Sequence, residues 1–335
     1  MSDAARLPYA LTAYGLPHMM GYLPTRAGEA YPNPVTTEEL ILHAAAMGLA
    51  GVECPLPKPE TLSRQALRDL LMTHGLRYIA NCMGVLDGDV EQWRTALEAA
   101  AQTGATVVRS VLSRILCGDR RALENGGWNA YMDALAARLN AILPIAADLG
   151  LCIAVENHQD ATTEDLLRLH DLAGNSPAYG VTLDAGNPLA VGQDPVDAAR
   201  KLAHIIRHAH LKDYTIHFAP EGYRLVRCAA GDGVVDFPAI LKILRANGHD
   251  VLPGIEIGAQ ATRTIPFLED GWWECHEPRN VTDLLPALRI LWAKGRPANE
   301  PYSSAWERGE DSATVAAEEW DIVIRSVEYF RSLAA

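Results

Sequence analysis

What the 335-residue chain lacks narrows what it can be. No apolar run approaches the roughly 18 residues that cross a bilayer, so no transmembrane helix and no membrane partner are expected. The opening MSDAARLPYA carries no hydrophobic leader segment. Six cysteines are scattered at positions 54, 82, 117, 152, 228 and 275 with no Cys-x-x-Cys pair. Without an export signal they are expected to be reduced thiols of a cytoplasmic protein. Basic residues are short, 29 Lys and Arg against 42 Asp and Glu, a net charge of −13 with His neutral. Phosphate backbones are bound through clustered basic side chains, so nucleic acid is not an expected partner. No Gly-x-Gly-x-x-Gly follows the first strand-like run, which argues against a dinucleotide-binding unit. No low-complexity tract or linker divides the chain, so residues 1–335 are expected to form one domain.

Apolar residues make up 49% and charged residues 21%, enough for a sizeable core. Short β-branched runs alternate with amphipathic stretches. The strand-like runs are 11–16, 51–56, 77–85, 107–113, 152–158, 179–187, 206–214 and 251–258. Helices are expected at 36–48 (Thr N-cap, Gly stop), 60–74, 89–104, 128–149, 162–174, 194–204, 236–248 and 316–334. Eight strands, each followed by a helix, imply parallel strands with right-handed crossovers. The predicted fold is α/β, a (β/α)8 TIM barrel. Two βα connections are long, 17–35 and 259–315. The second is an insertion between strand 8 and helix 8, expected to act as a lid or partner-binding surface at the face where barrel chemistry sits.

Four successive strands end on a residue able to hold a divalent metal: Glu156 in VENH, Asp184 in TLDAGN, His210 in HAHLKD and Glu256 in GIEIG. Adjacent strand ends of a closed barrel converge on one mouth despite wide spacing. One strand-end carboxylate is commonly a helix cap or a solvated loop residue. Four in a row outrun capping, since an unpaired carboxylate ending an apolar strand bears a desolvation cost. Three carboxylates and one imidazole suit Mn²⁺ first, with Mg²⁺ or Co²⁺ as alternatives, and no organic cofactor is expected.

These strand ends resemble those of the xylose-isomerase-like TIM barrels, the sugar phosphate isomerase/epimerase group, up to about residue 258 and again in the final helix. The resemblance implies Glu156, Asp184, His210 and Glu256 as metal ligands. In the group's ketose 3-epimerases the residues matching Glu156 and Glu256 also shuttle the proton on either face of the sugar. Those enzymes carry His, Glu and Arg where this chain has Asn187, Thr162 and Ile216. The chain is similar also to oxo-sugar lyases of the group, decarboxylases of branched oxo-acids and C-glycoside deglycosidase large subunits. The latter work with a small second subunit, which 259–315 could bind.

His158 lies two residues beyond Glu156 and faces the same way. It is a candidate general acid/base alongside Glu156 and Glu256, or a group orienting a ligand. Lys212 is expected to hold a substrate oxygen or to pair with Glu156 or Glu256. Asn187 is expected to reach a substrate hydroxyl or orient a ligand. Glu53 repeats the strand-end acid pattern, and Asn81, Cys82 and Arg109 are weaker candidates. His18, Arg26, Trp272 and Trp273 are candidate lid residues that could contact sugar, the Trp pair alternatively an oligomer contact. The run RLVRCAAGDGVVDF (224–237) resembles the family loop that ends in Gly-x-Gly before helix seven, which implies that it helps to shape the pocket, its glycines serving also as turn residues. The expected reaction is metal-dependent proton abstraction α to a carbonyl of a sugar or oxo-sugar, giving isomerisation or epimerisation. A lyase on a 3-oxo-sugar is the alternative, and a homo-oligomer is expected. A repair endonuclease or a non-catalytic metal-binding scaffold fits the charge and the polar mouth residues poorly.

Overall fold

The structure, a computed structural model, describes residues 6–123, 127–258, 261–300 and 302–334. In chain order the elements are β1 (Leu7–Thr12), α1 (Thr37–Ala46), β2 (Leu49–Pro55), α2 (Arg64–His74), β3 (Arg77–Asn81), α3 (Val90–Gln102), β4 (Val107–Val111), α4 (Gly127–Asp148), β5 (Cys152–Glu156), α5 (Thr163–Leu172), β6 (Tyr179–Asp184), α6 (Pro195–Leu202), β7 (Ile206–Leu211), β8 (Asp213–Ala219), β9 (Gly222–Cys228), α7 (Phe237–Ala246), β10 (Leu252–Ile255), β11 (Arg263–Ile265), α8 (Asp270–Trp273), α9 (Val281–Lys294) and α10 (Ser312–Ser332). Eight parallel strands close a barrel in the order β1-β10-β7-β6-β5-β4-β3-β2. The predicted (β/α)8 barrel is the observed one.

The helices start where the sequence supplies caps. Thr36 Oγ1 accepts the Glu39 N–H while the Glu39 carboxylate accepts the Thr36 N–H, and Thr162 with Asp165 does the same for α5. Gly75 closes α2 in the left-handed conformation. Helix α3 buries Trp93, Leu97 and Ala100, spaced four and three residues apart on one face. Each large apolar side chain so buried contributes about 1.5–3 kcal/mol.

Several strands end earlier than expected, and two of these ends shape the rest of the fold. The first strand ends at Thr12, not at residue 16. Thr12 Oγ1 accepts the Gly15 N–H at 3.0 Å, which turns residues 13–15 into a 3-10 turn. The seventh strand stops at Leu211, and a second strand starts at Asp213. There the chain leaves the barrel as the antiparallel hairpin β8–β9, to which β11 adds as a third strand.

Asp213 fixes that departure. Its buried carboxylate accepts backbone N–H groups from Tyr214, Gly231, Gly233 and Val235 at 2.9–3.0 Å. A Cβ at Gly233 would collide with this carboxylate, so the Gly-Asp-Gly turn needs its glycine for close approach. The signal for the hairpin lay in Ala219-Pro220-Glu221-Gly222, a turn sequence between two alternating runs.

The 259–315 connection, of which 259, 260 and 301 lie outside the described residues, also holds order not foreseen. Strand β11 and helices α8 and α9 lie within it, α9 opening on an Asn280–Asp283 capping box. It packs on the hairpin through a second apolar cluster that includes Tyr214, Ile216, Tyr223, Ile265 and Trp272. No helix among the described residues is long and apolar enough to cross a membrane.

Candidate active site

The C-terminal ends of β5, β6, β7 and β10 bring Glu156, Asp184, His210 and Glu256 together. One ligand atom from each lies within 4.8 Å of the others, and all four side chains are buried. His210 Nδ1 is 3.2 Å from Glu256 Oε2 and 3.5 Å from Glu156 Oε1. None of these three atoms has a hydrogen-bond partner among the described residues. Buried polar atoms without partners are rare, and three converging on one point ask for a missing positive charge.

The groups behind the cluster fix its orientation. Glu53 Oε2 accepts from His210 Nε2 at 2.9 Å and from His208 Nε2 at 2.7 Å, all three residues fully buried. With Nε2 donating to Glu53, His210 turns the lone pair of Nδ1 toward the carboxylates, the arrangement that holds a cation. Asn157 Oδ1 accepts the Asp184 N–H at 2.6 Å, and Asn187 Nδ2 donates to Asp184 Oδ2 at 2.8 Å. Lys212 Nζ donates to Asp184 Oδ2 and, at 3.0 Å, to Glu256 Oε1. Arg109 pairs with Glu156 Oε2 in a buried ion pair.

The inner ring has a charge surplus. Carboxylates at 53, 156, 184 and 256 face cations at 109 and 212, so with His210 deprotonated, the form that ligates a cation, and His208 neutral the balance is 2 − 4 = −2. One divalent ion would cancel it. The mixed oxygen and nitrogen donor set, free of thiolate, fits such an ion. The trio Glu53, His208 and His210 meets the same spacing, but its short contacts are already hydrogen bonds.

Titration follows from these contacts. Burial pushes Asp184 up to about 6, with the neighbouring carboxylates adding to the rise and Lys212 opposing it. Burial would raise Glu156, but Arg109, His210 and His158 together outweigh it and hold the group well below the carboxylate range. Glu256 is likewise held low against burial by His210 and Lys212. Burial would lower His210, yet the carboxylates Glu256, Glu53 and Glu156 raise it well above the usual imidazole value. Burial carries His158 down to about 4, so it is neutral near pH 7. Its Nδ1 faces the Ile115 carbonyl at 3.3 Å, and Nε2 has no partner among the described residues.

A cavity of about 470 Å³ opens beside the cluster, lined by Tyr14, Arg109, His158, Lys212, Arg227, Glu256 and Arg263 among others. Of the residues expected from sequence to contact substrate or move its proton, His158, Lys212, Arg109 and Glu256 line it. Several candidates do not line it. His18 is fully buried, its Nδ1 on the Leu23 carbonyl at 2.9 Å and Nε2 on Ser312 Oγ at 2.8 Å, so it ties the first long loop to α10. Trp272 is fully buried with Nε1 on the Cys117 carbonyl, and Trp273 packs edge-on against it at 4.6 Å. Trp272 offers no face to a sugar, and the half-buried Trp273 packs on Phe267 and does not line the cavity. Glu53 and Asn187 touch the ligand-type residues and do not reach the cavity. Arg26 is exposed and donates to the Glu307 carbonyl at 2.6 Å. Arg227 belongs to the loop 224–237 expected to shape the pocket, whereas Tyr14, expected inside a strand, and Arg263, on the unforeseen three-stranded sheet, are additions from the structure.

Comparison with known proteins agrees with this architecture. The family model described as xylose isomerase-like TIM barrel matches residues 41–270. The 3-oxo-isoapionate decarboxylase of Pectobacterium atrosepticum is 25% identical over 260 residues, covering 74% of this chain and 88% of that enzyme. The inosose dehydratase of Clostridium botulinum is 31% identical over 137 residues, 37% of this chain, and the match spans 44% of the dehydratase. A crystal structure of D-allulose 3-epimerase from Methylomonas sp. in complex with D-allulose superposes with a TM-score of 0.54 at 18% identity, covering 88% of this chain and 99% of that one.

Proposed function

The chain belongs to the xylose isomerase-like TIM barrel family, and on that premise we propose that it is an enzyme acting at the carbon α to a carbonyl of a sugar or oxo-sugar. Glu156, Asp184, His210 and Glu256 are the residues that would hold a divalent ion, Mn²⁺ first and Mg²⁺ or Co²⁺ as alternatives. The observation that carries this reading is the convergence of Glu156 Oε1, His210 Nδ1 and Glu256 Oε2, buried and unpartnered, at the edge of the cavity. Bound there, such an ion would supply Lewis-acid polarisation of the carbonyl and a counter-charge for the negative charge that develops beside it.

The chain's own residues move the proton. His158, neutral with a free Nε2, can accept it from the α carbon or return it. Glu256 Oε2 is the second candidate. Lys212 anchors Glu256 and Asp184 and presents its ammonium to a substrate oxygen.

Two outcomes share this chemistry. Returning the proton gives isomerisation or epimerisation, which at one carbon calls for a base on each face, Glu156 and Glu256. Expelling a leaving group gives a lyase. Dehydration takes a proton and releases water; decarboxylation leaves the electron pair of the broken C–C bond on the α carbon, which then takes a proton. The buried Arg109–Glu156 pair favours the second outcome, because the guanidinium occupies Glu156 Oε2 and leaves only Oε1, one of the ligand-type atoms, for proton transfer. A decarboxylase and a dehydratase among the relatives point the same way.

Incubation of the Mn²⁺-treated protein with ketoses and 3-oxo-sugars in D₂O, followed by NMR, tests the reading. Deuterium is expected at the α carbon, lost on chelation, and slowed about 10²–10⁴-fold by His158→Gln. An isomeric sugar in the mixture assigns an isomerase, and released CO₂, water or aglycone a lyase. No exchange with any member of the panel overturns the reading.

A further inference from the structure

Most charges in the cavity are answered by a neighbour. Arg109 has Glu156, Lys212 has Asp184 and Glu256, and Arg114 at the rim has Asp87. Arg227 and Arg263 are different. Both line the cavity, both are half-buried, and among the described residues neither side chain makes a hydrogen bond or an ion pair. Their Nε atoms are fully buried and unpartnered.

The hairpin sheet places them together. Arg263 on β11 stands opposite Leu225 on β9, and Arg227 lies two residues further along β9, so both side chains leave the same face. Arg224, on the other face of β9, is by contrast satisfied by Thr262 and Glu307. The acids that share the surroundings of the pair, Glu256 and Glu307, already have Lys212 and Arg224. Burial, and then the charge of Arg227, depress the Arg263 guanidinium. Two like charges kept side by side, partly desolvated and unpaired, cost stability in the empty protein.

Resting on the reaction proposed above, we infer that Arg227 and Arg263 form an oxyanion subsite and that the substrate is an acidic sugar, carrying a carboxylate or phosphate away from its reacting carbonyl. A guanidinium presents N–H donors in a planar fork matched to such groups. Strand β11 belongs to the long insertion, so the insertion would set substrate class by completing this subsite.

Calorimetric titration in Mg²⁺ buffer with D-glucitol, D-gluconate and D-glucitol 6-phosphate tests the inference, the neutral polyol being the reference. At least one anion is expected to bind more than tenfold tighter than glucitol, with the preference shrinking as salt rises. Whichever anion is favoured identifies carboxylate or phosphate. The Arg227→Gln/Arg263→Gln double variant is expected to lose about ten- to hundredfold of anion affinity, the scale of a charge-assisted hydrogen bond, while glucitol binding stays the same. Arg263→Gln alone is expected to keep or raise the thermal midpoint, since it relieves repulsion. Equal binding of anionic and neutral ligands, an anion preference untouched by the double variant, or a marked fall in the midpoint would each overturn the subsite. Anion preference without deuterium exchange would support the subsite and remove the reaction; exchange without anion preference would do the reverse.

Discussion

Two buried charge networks sit on neighbouring parts of this barrel and are built to opposite rules. Around Arg120, which reaches from the connection after β4 to the segment between β5 and α5, each guanidinium nitrogen meets an acceptor. Its Nε and Nη2 reach the Asp160 carbonyl at 2.9 and 2.6 Å, Nη2 also pairs with Asp165, and the guanidinium lies 3.8 Å over the Trp128 ring. Asp165 is closed in turn by Trp128 Nε1 and by the Thr162 N–H and hydroxyl, each at 2.8 Å. Around His210 the burial is equal, but two carboxylate oxygens and a ring nitrogen face one another without a hydrogen-bond partner among the described residues. A closed network holds structure, and an open one with a charge surplus is set up to receive something. Burial alone does not separate the two; satisfaction does.

The largest expected effect breaks the closed network. Arg120→Met leaves the Asp165 carboxylate buried without its cation, which costs about 3–5 kcal/mol. Urea unfolding would show a lowered midpoint, while Mn²⁺ affinity at the mouth stays as it was. A variant of normal stability that has lost metal affinity would erase the distinction between the two networks.

Asp160 joins them, its carbonyl serving Arg120 and its carboxyl held by the Ser113 hydroxyl beside the cavity. Burial pushes it from 3.8 up to about 7, against the pull of Ser113 and Arg120. The folded chain therefore keeps a proton that the unfolded chain loses near pH 4. That contribution to stability is complete below the unfolded pKa and is lost as pH rises through about 7. A shift of about three units amounts to at most about 4 kcal/mol. Asp160→Asn is expected to flatten the fall in stability between pH 5 and pH 8, and an unchanged slope would show that the carboxyl is already ionised at pH 5.

The residues of the open network could be read from sequence because topology does the geometric work. Once eight βα units are recognised, Glu156, Asp184, His210 and Glu256 at strand ends must share one mouth. Loops carry no such rule. His18 and Trp272 have side chains suited to a sugar, yet each is claimed by a contact far along the chain, Ser312 and Cys117. The meeting of Arg227 with Arg263 was hidden for the opposite reason, since it happens only when a hairpin recruits a third strand from 35 or more residues away. Glu53 falls between these cases. Its position at the end of β2 was legible, but its choice of partner depends on β2 and β7 facing each other across the barrel interior.

The smallest effect tests whether that partner matters to the open network. Glu53 Oε2 takes the Nε2 proton of His210 and so aims Nδ1 at the three carboxylates. Despite full burial the carboxyl is held well below its ordinary range by His210 and His208, so it is ionised at neutral pH and its acceptor character is permanent. In Glu53→Gln the amide can still accept one hydrogen bond, but it brings no charge to fix the tautomer. Metal affinity is expected to weaken about 10–100-fold, or about 1.4–2.7 kcal/mol. The ring is not expelled, because His210 remains packed edge-on against His208 at 5.1 Å. Direct Mn²⁺ titration reads the change without reference to any substrate. Loss confined to metal binding, with folding stability unchanged, would identify Glu53 as a residue that positions His210. Equal losses in affinity and stability would make it part of the barrel core, and the boundary between open and closed networks would then run inside Glu53.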